Sequence, residues 1–383
     1  MRPRVTLSVG NFFYAISFTL VGYILLPYLS TFMSESRASL VVAGSSLISL
    51  ILFLRLPRIV ERVGAQSLAI WISVAQMLAL FALAAHPDAL GASIFIAGLI
   101  ALQPFLSYTL DLLLEATVEK EGVTGRVRTL FLTAYNIAEF GTPLLMGSIL
   151  DNTDAYARIF LAAAAALVPF IVIFASRPLP ERRALTHVKA RETIRMMAKS
   201  RDLTAVSAAH FFLYLFYVWA PLYVPVYLHD TLGMPWSELG WMFSVMLIPF
   251  VLVEYPAGVV ADKILGDKEL MVTGFIIMGG ALAAFSLITP ASSAIFIVSL
   301  LFISRIGAAL VESMTEAHFF RRAAANADVI AVYRMLWPLA DVIAPLIGSA
   351  LLFINGFHGL FLVTGIFLVI AGTASALAIR DFR

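Results

Sequence analysis

Charged side chains are scarce in this sequence, and several of them interrupt long apolar runs. Glu139, Asp341 and Arg305 each lie deep in such a run. Arg334 precedes Asp341 by seven residues, two helical turns, and so shares its face. A carboxylate in an apolar run has a defined chemistry. It can be protonated on one side of a barrier and release the proton on the other, with an arginine setting its proton affinity. The alternative is a structural ion pair, Arg305 with Glu139 or Asp341. The chain has 6 His and no Cys, which removes disulfides, thiolate metal sites and Cys nucleophiles. It has no His-Glu-x-x-His, no Gly-x-Ser-x-Gly and no phosphate-binding glycine loop. No catalytic residue, metal ligand or cofactor is expected.

Composition says what must position these residues. Of 383 residues, 61% are hydrophobic and 13% charged, with 29 Phe. Ordinary soluble domains carry about 25% charged residues and about 45–50% apolar ones. Mean hydropathy is +0.93. The 26 Lys+Arg and 24 Asp+Glu nearly cancel, at a net charge of +2. This excludes a disordered chain, a nucleic-acid binder and a soluble enzyme. The chain reads as an all-α polytopic membrane protein.

A helix needs about 20 mostly apolar residues to cross a bilayer core. Twelve such runs lie near 8–33, 38–57, 67–85, 90–117, 127–150, 156–176, 203–228, 236–260, 269–289, 291–317, 328–354 and 357–379. Turns such as Asp151-Asn152-Thr153-Asp154 and Thr289-Pro290 join them. The runs are too long for barrel strands. The first lacks a small-x-small cleavage site and reads as a span, not a signal peptide.

All basic residues except Arg37, Arg158, Arg305 and Arg334 fall on the side that holds both termini. That side is therefore expected to be cytoplasmic. One long connection, 177–202, is basic, and its Val188, Ile194, Met196 and Met197 suit an interfacial helix. It divides the chain into six spans at 1–176 and six at 203–383.

The halves repeat each other at a shift of about 201 residues. Glu61-Arg62 falls on Asp262-Lys263, Asp111 on Glu312 and Glu115 on Glu316. Glu139 falls near Asp341, and both copies read Ala-acid-x-x-x-Pro. Acids in spans are rare and costly, so four matched acids at one offset point to two pseudo-symmetric bundles. Span 5 reaches Glu139 about 18 Å from its cytoplasmic entry, near the middle of a core about 30 Å thick. Asp341 and Arg305 lie at similar depth, and Arg334 nearer the cytoplasm.

With these features the chain resembles the major facilitator superfamily of secondary transporters along its whole length. The family's diagnostic loop is Gly-x-x-x-Asp-Arg/Lys-x-Gly-x-Arg/Lys. It is matched by Gly258 to Lys268, through Asp262, Lys263 and Gly266, with one extra residue before Gly266. The first copy, Pro57 to Gln66, keeps Glu61, Arg62 and Gly64, but has Pro57 for the first Gly and Gln66 for a base. The resemblance implies twelve spans as two six-helix bundles that work by alternating access. It also implies a cytoplasmic gate, in which Glu115 and Glu316 pair with Arg62, Arg126, Lys263 or Arg321. Asp111 and Glu312, one turn deeper, form a second gate layer or serve as coupling acids. Solvated helix-end charges are the plainer alternative.

Spans 1 and 7 line the cavity in this family. Here they supply Asn11, Tyr14, Tyr214 and Tyr217, with Gln103 and Tyr108 from span 4 and Asn136 from span 5. Such rings suit amphipathic organic molecules, though aromatic packing explains them equally. His210 can titrate near neutrality or be structural, and Glu254 suits the gate layer. Gly141-Thr142-Pro143-Leu144-Leu145-Met146-Gly147-Ser148 is similar to a degraded bend of family exporters, while Pro104 stands where those exporters often carry Arg. The expected function is proton-coupled transport of a small organic solute, leaning to export of amphipathic compounds. Uptake, a non-transporting receptor or scaffold and an intramembrane enzyme are the alternatives. Expected partners are the solute, protons and the lipid bilayer of a bacterial or archaeal plasma membrane. No nucleic acid is expected, and the chain should act as a monomer.

Overall fold

The computed structural model describes residues 2–53, 55–121, 124–181, 190–323 and 327–380. They hold helices and no strand. In chain order these are α1 (Pro3–Ser30), α2 (Glu35–Phe53), α3 (Leu56–Val63), α4 (Ala65–Ala84), α5 (Ala89–Glu121), α6 (Thr124–Leu150), α7 (Tyr156–Ser176) and α8 (Ala190–Lys199). They continue as α9 (Arg201–Val226), α10 (Trp236–Val245), α11 (Ile248–Lys263), α12 (Asp267–Ala284), α13 (Ala294–Ala323), α14 (Ala327–Arg334), α15 (Leu336–Phe367) and α16 (Thr373–Leu377). Among the described residues, ten stretches are long and apolar enough to cross a membrane. One of them, Asp328–Leu377, breaks at Gly356, whose φ of 63° favours a residue without Cβ. Dividing it there and adding α6 gives the twelve spans of a two-bundle fold among the described residues.

Three spans differ from the sequence reading, each at a proline. Proline cannot donate to the carbonyl four residues back, and its ring clashes there. Pro57 opens the short helix α3, so the run expected at 38–57 becomes the span α2 and that helix. Pro249 ends α10 at Val245, which cuts the expected 236–260 into α10 and α11. Pro338 ends α14 at Arg334, which cuts the run at 328–354. The linker helix appears as α8, with Thr193 and Met197 buried and Ile194 and Met196 exposed. Val188 lies outside the described residues.

The chain forms two compact units. The first comprises Met1–Thr186 with Leu228–Trp241, and the second His187–Tyr227 with Met242–Arg383. In the first, α1 packs on α5, α6 and α7, and α4 packs on α5 and α7. Its core joins Leu7 and Tyr14 of α1 to Phe105, Leu110 and Leu113 of α5 and to Phe170 and Phe174 of α7. In the second, α9 packs on α13 and α15, and α12 on α13 and α15. Donors on α9 fix that packing: the Trp219 indole donates to the Ala344 carbonyl at 2.8 Å, and the Tyr223 hydroxyl to that of Pro345 at 3.4 Å.

Candidate functional site

In the second unit, α9, α13 and the α14–α15 break bring together residues that are far apart in sequence. The Tyr217 hydroxyl donates to the carboxylate of Glu312. One turn along α13, Glu316 accepts from both terminal nitrogens of Arg334, each at 3.1 Å. His210 is buried, with Nε2 3.8 Å from Glu316 Oε1. Its ring stacks on Tyr333 at 4.0 Å and meets Tyr214 edge-on at 4.5 Å. Tyr214 in turn stacks on Trp337, with centroids 5.7 Å apart and planes 2° from parallel.

This arrangement corrects one expectation. Glu316 was expected to meet Arg62, Arg126, Lys263 or Arg321, but it meets Arg334. Arg334, expected nearer the cytoplasm than Asp341, stands level with Glu316. The physical cause is Pro338, which ends α14 at Arg334 and leaves that side chain beside α13. A guanidinium also sits favourably at a helix C-terminus. Arg305 is deeply buried on α13, with Cζ 4.9 Å from the Phe216 ring centroid. Asp341 lies one turn beyond Trp337 on α15 and within reach of its indole.

In the first unit, Glu139 is half-buried in the middle of α6. Tyr135, one turn before it, lies within electrostatic reach of Glu139, Tyr14 and Tyr23. The sequence reading did not single out Tyr135, although its spacing from Glu139 is the signal. Tyr14 meets the Ser107 hydroxyl at 3.0 Å and interacts with Gln103. Asp111 lies within reach of Tyr14 and Tyr108, and Tyr108 packs edge-on against Phe53. Asn11 is buried, and its amide donates to the Phe131 carbonyl at 3.1 Å, which makes it a brace from α1 to α6. Asn136 is exposed.

The basic loops hold polar clamps. Gly64 has φ +87°, and a Cβ there would lie 2.9 Å from the Glu181 carboxylate. That carboxylate accepts from the Gln66 N–H at 2.9 Å, at the N-terminus of α4. The Gln66 amide donates to the carbonyls of Phe174 and Arg177 at 2.5 and 2.7 Å, and accepts from the Leu179 N–H at 2.8 Å. Where the motif has a base, this chain has a brace to the end of α7. In the second unit, Gly266 precedes α12, whose first residue Asp267 holds His318 at 3.0 Å and pairs with Arg321. Asp202 holds Arg322 at 2.7 Å and the Arg380 N–H at 2.7 Å. Glu61, Arg62 and Lys263 are exposed, Glu115 and Gly258 partly so. The side chains of Arg126 and Asp262 lie outside the described residues. Among the described residues no group of three or more His, Asp or Glu is placed to hold a metal.

A further cluster lies at the far end of α6, and the sequence reading missed it. His229 Nε2 is 2.7 Å from Asp154 Oδ1, and its Nδ1 is 2.8 Å from the Met234 carbonyl. The Trp236 indole donates to the same Asp154 oxygen at 3.3 Å. Beneath it α6 and α10 touch backbone to backbone. A Cβ on Gly147 would lie 2.7 Å from the Trp236 carbonyl, and one on Gly240 would lie 2.6 Å from that of Pro143. The exporter-like glycine segment thus supplies a helix crossing.

Among the described residues, helical spans with acids and arginines inside them define a class, the polytopic membrane proteins. The model of the Major Facilitator Superfamily matches residues 206–381. A bacterial homolog of the human lysosomal transporter Spinster, solved in an inward-facing, unoccupied conformation, is similar in fold. Its TM-score is 0.75 at 12% identity, over 98% of this chain and 96% of that one. The nucleoside transporter NupG (D323A mutant) has TM-score 0.77 at 11% identity, over 99% of this chain and 100% of that one. Residues 206–381 are thus similar to the Major Facilitator Superfamily, and the whole chain shares its fold with these two transporters.

Proposed function

We propose that this secondary transporter moves a small organic solute by alternating access, coupled to protons, in the direction of export. The observation that carries the reading is the pair Glu139 and Asp341. Each is the acid of an Ala-acid-x-x-x-Pro segment and each lies mid-span, in α6 and α15. An ionised acid at that depth is retained at a cost, and proton coupling is the function that uses it. The bundles 1–176 and 203–383 act as the moving bodies, joined by 177–202, in a bacterial or archaeal plasma membrane. The termini lie in the cytoplasm and the protein works as a monomer. Glu312 with Tyr217, and Glu316 with Arg334, serve the gate and the substrate path.

The test replaces the two acids. Solutes that raise the thermal stability of the purified protein, screened at two pH values, supply a substrate. Its pH-gradient-driven flux in proteoliposomes is then measured for wild type, Glu139→Gln and Asp341→Asn. Folded variants that lose driven flux but keep solute binding support the coupling. Unchanged flux in both variants removes it.

A further inference from the structure

We propose that the aromatic and carboxylate cluster of the second unit binds an organic cation. The inference rests on the transporter reading and names its substrate class.

The rings come first. Tyr214 stacks on Trp337, and Tyr217 packs against Tyr214 at 6.0 Å and against Phe250 at 6.2 Å. Aromatic faces attract cations and repel anions. Trp337 remains 44% exposed.

Charge points the same way. Four carboxylates belong to the cluster: Glu312, Glu316, Asp341 beside Trp337, and Glu254, which Glu312 influences electrostatically. Two arginines oppose them. Arg334 is engaged by Glu316, and Arg305 lies over Phe216. The Glu312 carboxylate accepts from a neutral phenol, Tyr217. A carboxylate held by a neutral phenol suits a cation better than an anion.

A third observation is independent of both. His210 is 1% exposed, and neither ring nitrogen has a hydrogen-bond partner. Buried polar groups are ordinarily paired. Its Nε2 points toward Glu316, where an N–H of a substituted ammonium can donate to it. The chain already shows the chemistry with its own cation, because Arg334 lies on Glu316 and 5.9 Å from the Phe320 ring centroid. A substrate with a cationic centre and an apolar body repeats this with Glu312 and the Tyr214–Trp337 pair.

Two probes of one shape and opposite charge test the proposal: tetraphenylphosphonium and tetraphenylborate. Equilibrium binding of each to the purified full-length chain is measured for wild type, Glu312→Gln, Trp337→Leu and, as a control, Glu269→Gln on the exposed start of α12. The phosphonium should bind saturably to wild type and to the control, and the borate should not. Glu312→Gln and Trp337→Leu should each weaken binding by about tenfold or more. Trp337, being half exposed, serves as the second variant if Glu312→Gln does not fold. Equal binding of the two probes, absence of saturable phosphonium binding, or wild-type affinity in the folded variants overturns the proposal. Saturable phosphonium binding without solute-driven flux keeps this site and removes the transport mechanism. Driven flux of another solute with no phosphonium binding does the reverse.

Discussion

Arg334 grips both carboxylate oxygens of Glu316, at 3.1 Å each, from the last residue of α14. Breaking half of such a pair leaves a charge without its counterion, which is worse than removing both halves. The pair is partly exposed, Arg334 at 52% and Glu316 at 27%, so Arg334→Ala should lower stability by about 1 kcal/mol or less. The double variant Arg334→Ala/Glu316→Ala should recover part of the lost stability. Arg334→Lys keeps the charge but not the two-pronged geometry, and should fall between wild type and alanine. Unfolding of the purified variants checks this ordering.

Tyr217 and Tyr14 are predicted to differ although both are tyrosines with bonded hydroxyls. Tyr217 donates to a carboxylate, while Tyr14 meets a serine hydroxyl. Hydrogen bonds to charged groups contribute about 1.5–3 kcal/mol and neutral ones about 0.5–1.5 kcal/mol. Tyr217→Phe should destabilise the protein more than Tyr14→Phe, as read by denaturant unfolding in detergent.

Gln66 makes three side-chain bonds to the backbone at the end of α7 and just beyond it. At about 1 kcal/mol each, Gln66→Ala should cost about 3 kcal/mol. Gln66→Lys restores the base of the family pattern, yet lysine has no acceptor for the Leu179 N–H. It should lower the unfolding midpoint too. A Lys variant as stable as wild type would count against the brace.

The two glycines of the α6 segment are predicted to behave oppositely. A Cβ on Gly147 would meet the Trp236 carbonyl at 2.7 Å, whereas nothing lies within 4 Å of one on Gly141. Gly147→Val should destabilise by about 1–3 kcal/mol through overpacking. Gly141→Ala should be neutral or stabilising, because alanine favours a helix interior by about 1 kcal/mol. Thermal unfolding of the two variants gives the comparison.

The fold was legible because spans and their repeat are written locally. Hydropathy marks each span, and the offset from Asp111 to Glu312 marks the duplication. The breaks after Val245 and Arg334, four residues before Pro249 and Pro338, were not legible, because a hydropathy run passes through them and prolines such as Pro104 and Pro143 stand inside unbroken helices. Partner choice was not legible. Glu316 meets Arg334 only because a helix ends there. Asp154 meets His229 across 75 residues of chain. Gln66 looked like a lost base, since its three backbone partners carry no side-chain signature. Long-range pairs of this kind follow from tertiary packing, which one sequence does not spell out.

Solute-dependent proton movement is the most direct test of the proposed mechanism. Proteoliposomes holding the wild-type chain and an internal pH dye, with no initial pH gradient, receive a stabilising solute on one side. The account predicts a pH change that follows the solute gradient and is absent with Glu139→Gln and Asp341→Asn. Solute flux with no accompanying pH change, at equal protein content and membrane tightness, would contradict it.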